Sequence, residues 1–248
     1  MGTGWSQNEA SHSQCHQTSS EESNNPKILP ETNSSGHKAN TEKAQKSIHK
    51  LDEVTKDADV TIDYSCMNQL LPQLQNGIFL NQKRQKYWID KMLDNCFMVY
   101  ARNLSITWGE DCRYWTWKQQ KDKSSDELID VARLIQVCWL EVNGKFDTRK
   151  LSPATLYEVA FVVMLDDCAC GWSCPVNVGL CLPNGSKQER NEDMIKLPRN
   201  QWTEITAGKF KTSTDQFGEI QFFMHNYDSA WKSGLSIKGV LIQTSKLY

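Results

Sequence analysis

The amino-acid sequence predicts an all-β domain, an antiparallel β-sandwich, preceded by a disordered polar tail. Three observations lead there. Runs with apolar residues at every second position recur through the C-terminal two thirds of the chain, as in strands with one buried face. Turn-forming clusters separate them, at Leu93-Asp94-Asn95, Asn143-Gly144, Pro183-Asn184-Gly185 and Phe217-Gly218. No helical pattern alternates regularly with these runs, which argues against a parallel sheet with crossover helices.

The tail comes first. From Ser6 to Asp63 there is no Phe, Tyr or Trp, and Ser, Asn, Gln, Glu and Lys dominate. Such a composition cannot bury enough apolar surface to offset its ordering entropy. Disorder is therefore expected over residues 1–63, with transient helix near Thr41–Thr55. Met1-Gly2-Thr3-Gly4-Trp5-Ser6 satisfies the M-G-x-x-x-[ST] pattern, so Gly2 is a candidate for myristoylation, and membrane association is expected only through that lipid. Tyr64–Gln75 reads as a short helix or an extended docking segment interrupted at Pro72, linking the tail to a domain that starts at Gly77.

Strands follow at Cys96–Ala101, Val137–Val142, Tyr157–Leu165, Val176–Leu182, Ile220–Met224 and Leu235–Ile242. In the third of these, Tyr157, Val159, Phe161, Val163 and Leu165 fall on one face. Glu127–Leu134 is the best short-helix candidate. Asn143-Gly144 fits either a hairpin turn or a bulge inside one long strand. About 170 residues suffice to bury roughly 70% of the surface of the unfolded chain.

Charge and composition remove several classes of function. A formal net charge of −2 and a pI near 6.2 give no drive toward nucleic acid or anionic membrane. Lys83-Arg84-Gln85-Lys86, ahead of Tyr87-Trp88, is expected to be a solvated hairpin. No apolar run approaches the ~18–20 residues that span a bilayer. The N-terminus lacks a charged region followed by an apolar one, so a cytoplasmic protein is expected, with the nucleus as an additional location and Asn33, Asn103 and Asn184 unglycosylated. Four of the five histidines lie in the tail, leaving His225 as the domain's single candidate base, read as a hydrogen-bonded strand-end residue. Asp166-Asp167 and Glu192-Asp193 are adjacent acids that point to opposite faces and make no dyad. No catalysis and no cofactor are expected.

Two stretches stand out. Cys168, Cys170 and Cys174 crowd into DDCACGWSC beside Gly171, read as a flexible, exposed position. The C-x-C-x(3)-C-x(6)-C spacing to Cys181 matches zinc ligation poorly, so accessible thiols in a loop are expected, available for cross-linking. The other is ITWGEDCRYWTWK, which places Trp108, Trp115 and Trp117 within ten residues of each other among hydroxyls and acids. Trp115 and Trp117 are two apart on a strand and share a face. With Trp108 across a Gly-Glu-Asp turn, they suggest an aromatic wall for a ring ligand with an apolar face and a polar edge, such as a sugar.

KYWIDK at 86–91, CFMVYARNLSITWG at 96–109, YWTW at 114–117, VCWLEVNGKF at 137–146, GWSCPVN at 171–177 and AWKSGLSIKGVLI at 230–242 occur in this order. Together they resemble the plant phloem lectins, the phloem protein 2 family, whose domain also occurs in the tobacco lectin Nictaba. The resemblance covers roughly residues 77–246 and implies a jelly-roll-like β-sandwich that recognises N-acetylglucosamine oligomers or the chitobiose core of N-glycans, with N-glycosylated proteins as partners. It places the sugar platform at Trp108 and Trp115, with Glu219 of FGEIQF as the acidic hydrogen-bonding partner. Thr116 is a secondary site residue, and Trp117 is divided between the site and the core of its strand. Trp139 and Trp202 are expected in the core. The cysteines of the 166–174 loop depart from the family pattern. They support a second reading: a structural protein of phloem sieve elements forming homodimers or disulfide-linked multimers through Cys168, Cys170 and Cys174. Some relatives carry an F-box before this domain, but its leucine and proline pattern is absent ahead of Gly77.

Overall fold

The computed structural model describes residues 47–214 and 217–245. The expectations for residues 1–46, myristoylation of Gly2 among them, lie outside the described residues. Among the described residues, thirteen strands form two antiparallel sheets. The larger contains β1 (Ile78–Leu80), β2 (Gln85–Ile89), β3 (Asn95–Tyr100), β5 (Trp115–Lys121), β6 (Leu128–Leu134), β8 (Leu156–Leu165), β11 (Thr203–Lys211) and β13 (Leu235–Thr244). The smaller contains β4 (Ser105–Ile106), β7 (Leu140–Asp147), β9 (Val176–Cys181), β10 (Lys187–Glu192) and β12 (Glu219–Asn226), in the order β10-β9-β12-β7-β4.

β13 organises the larger sheet. One of its edges pairs with β8 along nearly its whole length. Its other edge is shared, Gly239–Ile242 pairing with β3 and Ser236–Ile237 with β6. The two sheets pack face to face as a β-sandwich. Phe161 of β8 meets Phe222 of β12 edge-on at 6.1 Å, and Phe97 of β3 meets Phe146 of β7 at 4.7 Å. The alternation expected of Tyr157, Val159, Phe161, Val163 and Leu165 is observed, all five being fully buried. Ile220, Phe222 and Met224 answer them from the opposite sheet.

Several local expectations are corrected. Glu127–Leu134 contains strand β6, hairpinned with β5 from Trp115↔Leu134 to Lys121↔Leu128. Both faces of β6 are apolar: Ile129 and Val131 cover the outer side with Tyr100, while Ala132 and Leu134 join the main core. That two-sided burial imitates helical spacing. Asn143-Gly144 is neither turn nor bulge, because β7 pairs with β12 without a register break through Phe223↔Asn143 and Phe222↔Gly144. Glycine is required there because a Cβ would lie 2.2 Å from the Phe222 ring.

Tyr64–Gln75 contributes helix α2 (Met67–Asn76), which continues through Pro72 and buries Leu70 and Leu74. Residues 47–63 are ordered, against the expectation of disorder to Asp63. A helical turn, α1 (Leu51–Thr55), buries Val54, and Ala58 bridges to Leu80. The buried Asn95 amide donates to the carbonyls of His49 and Lys150 at 2.8 Å each. Few apolar residues suffice here because the sheet supplies the partners. The basic hairpin is only partly solvated: the Lys86 ammonium is buried against Asp122 at 2.7 Å, and Lys83 pairs with Glu127.

Candidate functional site

Strand alternation turns Trp115 and Trp117 to the same inner side of β5, as their spacing requires. The consequence differs from a ligand platform. Trp115 is 2% exposed and one of the largest side chains of the core, so it presents no ring face to a ligand. Its Nε1 donates to the Thr107 carbonyl at 3.2 Å, and Nε1 of the half-buried Trp117 donates to the Gly109 carbonyl at 3.0 Å. The two indoles are pegs for the 107–109 turn. Thr116 points to the other side of the larger sheet, opposite Arg133. The Arg102 guanidinium covers Trp117 at 3.6 Å, itself paired with Asp130 and Glu110.

The turn held by those pegs carries Trp108. Gly109 N–H donates to the Ile106 carbonyl at 2.9 Å, and Trp108 adopts φ 58° with 45% of its surface exposed. A left-handed conformation costs a bulky residue roughly 1–2 kcal/mol, and such strain concentrates at functional positions. The Trp108 ring lies 5.1 Å from that of Tyr114.

Thr107 connects this turn to the outer face of the five-stranded sheet. Its hydroxyl donates to Glu141 Oε2 at 3.0 Å; Trp139 Nε1 donates to the same oxygen at 3.2 Å, and the Tyr227 hydroxyl to Oε1 at 3.3 Å. These hydrogen bonds, that from Trp139 foremost, hold the Glu141 carboxyl below its ordinary pKa. Trp139, expected in the core, is 44% exposed, and Tyr227 is 47% exposed. Their rings stack at 4.0 Å. The row continues along β12: Tyr227 stacks on His225 at 4.7 Å, and His225 on Phe223 at 5.3 Å. The Lys187 ammonium sits 4.8 Å from the Phe223 ring. Beside His225, across the β9 pairing, Asn177 carries a buried side-chain oxygen with no hydrogen-bond partner among the described residues.

β12 explains the row. In EIQFFMHNY, Ile220, Phe222 and Met224 point inward, so Phe223, His225 and Tyr227 all point outward. Aromatic residues at three successive outward positions were the readable signal of this face. The sequence reading places a strand at Ile220–Met224, an acidic site residue at Glu219 and a lone histidine at His225, and assigns no role to the outward rings Phe223 and Tyr227.

His225 is held by rings rather than the expected hydrogen bonds. Burial, followed by the Lys187 charge, pulls its pKa below 6.5 against the opposing carboxylates Glu189 and Glu141. The folded protein therefore prefers neutral imidazole. Below the unfolded pKa the unfolded chain binds more protons, so this contribution to stability is complete above pH ~6.5 and is lost as the pH falls below it. The expected result is a drop in thermal midpoint between pH 7 and pH 5 that is smaller in His225→Phe, which stacks without titrating; equal drops would show that His225 is not the group responsible.

Glu219 is not brought to Trp108. It opens β12 opposite Asp147, whereas Glu141 pairs with His225 near the other end of the strand. Glu219 to Asn226 is seven residues, about 23 Å at the rise of a strand. Glu219 is paired with Lys145 at 3.0 Å.

In the cysteine loop, Cys168 and Cys170 are exposed and Cys174 is half-buried; all three are free thiols. Gly171 is not a flexible position. It holds φ 81°, and a Cβ there would lie 2.0 Å from the Trp231 carbonyl oxygen. Among the described residues, no group of three or more His, Cys, Asp or Glu is placed to hold a metal ion. A cleft of about 510 Å³ on the larger sheet is lined by Arg84, Tyr100, Arg102, Gln119 and Asp130, but Arg102 and Asp130 already satisfy each other.

A family model for phloem protein 2 matches residues 94–244. The chain belongs to the phloem protein 2 family. Among its relatives, protein phloem protein 2-like A1 of Arabidopsis thaliana is 46% identical over 80% of this chain and 81% of its own length. A protein of Luffa acutangula named lectin is 43% identical over 79% of this chain and 93% of its own. Among solved structures, the CBM22-1 xylan-binding domain from Paenibacillus barcinonensis aligns with 60% of this chain and 90% of its own, at 11% identity and a TM-score of 0.35. The aromatic face described above lies within the residues that the phloem protein 2 model matches.

Proposed function

We propose that this phloem protein 2 domain is a non-catalytic lectin that binds N-acetylglucosamine oligomers on the outer face of its five-stranded sheet. The observation that carries this reading is the row of stacked rings Trp139, Tyr227 and His225 with the Glu141 carboxylate at its polar edge. Indole and phenol faces suit the apolar C–H face of a pyranose, and a carboxylate accepts its hydroxyl hydrogen bonds. The relative from Luffa acutangula named lectin supports binding of sugars in general. The preference for N-acetylglucosamine follows from the family resemblance, and N-glycosylated proteins are the corresponding partners.

Calorimetric titration with chitin oligomers under reducing conditions tests this reading. Saturable binding, with a change in tryptophan fluorescence, is the expected result. Absence of binding to any chitin oligomer overturns it. The exposed thiols of Cys168 and Cys170 favour a second, compatible activity, cross-linking to partner chains. Reductant should dissolve such multimers and leave sugar binding unchanged.

A further inference from the structure

The connection from β12 to β13, residues 227–234, carries two exposed aromatic residues, Tyr227 and Trp231, and a lysine with 0% exposure, Lys232. The Lys232 ammonium donates to the backbone carbonyls of Cys138 at 2.8 Å, Asp228 at 2.9 Å and Ala230 at 2.8 Å. An ammonium has three N–H groups, so all are used. The backbone is tied at the same place, Val137 N–H donating to the Lys232 carbonyl at 2.9 Å and Lys232 N–H to that of Val137 at 2.7 Å.

The identity of the acceptors matters. Cys138 precedes Trp139, Asp228 follows Tyr227 and Ala230 precedes Trp231. Each carbonyl gripped by the ammonium thus adjoins one of three exposed rings, of which Trp139 and Tyr227 are the stacked pair. Behind the lysine, the cysteine loop closes the space: Gly171 packs on the Trp231 carbonyl and the Lys232 Cα, and Ser233 N–H donates to the Cys170 carbonyl at 3.0 Å. A buried charge is costly unless its hydrogen bonds are met. An aliphatic residue would fill the volume without that cost but would not draw three separated carbonyls to one point.

We propose that Lys232 is the positioning residue of the aromatic face, fixing the backbone from which Trp139, Tyr227 and Trp231 project and so setting the ring spacing offered to a sugar. The proposal rests on the reading of that face as a glycan site. Lys232→Met keeps the length and removes the donors; Lys232→Gln keeps two N–H groups. The expected results for Lys232→Met are cooperative unfolding, at least tenfold weaker binding of chitotriose, and faster amide hydrogen exchange at Val137 and across 227–232. Lys232→Gln should fall between it and the native protein. Trp139→Ala, which removes a ring without touching the tie, should weaken binding and leave that exchange unchanged.

Native-like affinity in Lys232→Met, or unchanged exchange at Val137, overturns the proposal. If the native protein binds no chitin oligomer, the lectin reading fails, and the exchange measurements still judge the tie by itself. If neither lysine variant folds, the native protein decides. A lysine ammonium resonance protected from water exchange at neutral pH supports the tie, and its absence overturns it.

Discussion

Trp115→Ala is expected to lower stability by about 3–5 kcal/mol, the range for deleting a buried large aromatic side chain from a packed core. The ring is 2% exposed, and its indole N–H holds the Thr107 carbonyl. The substitution therefore opens a cavity and also releases the turn that carries Trp108. Urea unfolding measures the effect directly. Trp108→Ala is the contrast: its ring is half in solvent and its backbone is left-handed, so the stability change should stay within about 1 kcal/mol. Trp108→Gly should be neutral or slightly stabilising, because glycine adopts that conformation without strain. An unfolding midpoint for Trp115→Ala equal to that of the native protein would show that the ring is not a core residue.

The second large effect concerns binding. Trp139→Ala or Tyr227→Ala should weaken chitin-oligomer binding roughly ten- to hundredfold, the equivalent of ~1.5–3 kcal/mol for one well-covered ring. Stability should change little, since both rings are nearly half exposed in the free protein. Glu219→Gln should bind within about twofold of the native protein, because Glu219 lies at the far end of β12 and is paired with Lys145. Titration calorimetry with the four proteins separates the two ends of the face. A loss confined to Glu219→Gln would move the site to the opposite end of the sheet.

What was legible in the sequence follows from the range over which each signal acts. Strand alternation is local. β8 and β13 came within one or two residues of their observed limits, and Trp115 and Trp117 share a face as their spacing demands. β6 imitates a helix in the sequence because it is buried on both sides, and a single-face pattern is what distinguishes a strand by spacing alone. Residues 47–63 carry no aromatic residue, and their composition alone predicts disorder. Their order comes from Asn95 and Leu80, well separated in sequence.

The sequence by itself determined the all-β class, the family motifs, the tryptophan-rich segment and the thiols of the 166–174 loop. Only the tertiary structure decided which tryptophans meet solvent. Alternation states that two side chains share a face, but whether that face looks into the sandwich or out of it depends on the second sheet. For β5 the shared face looks inward, so Trp115 became core. At β7 and β12 the second sheet covers Leu140, Val142, Phe222 and Met224, and leaves Trp139, His225 and Tyr227 outside. Glu141, His225 and Tyr227 meet only because β7 and β12 run antiparallel in this register. Lys232 likewise gathers carbonyls from residues 138, 228 and 230, an arrangement set by chain closure over nearly a hundred residues. Hydrogen bonding and stacking act over a few ångströms in space, and the sequence orders residues only along the chain.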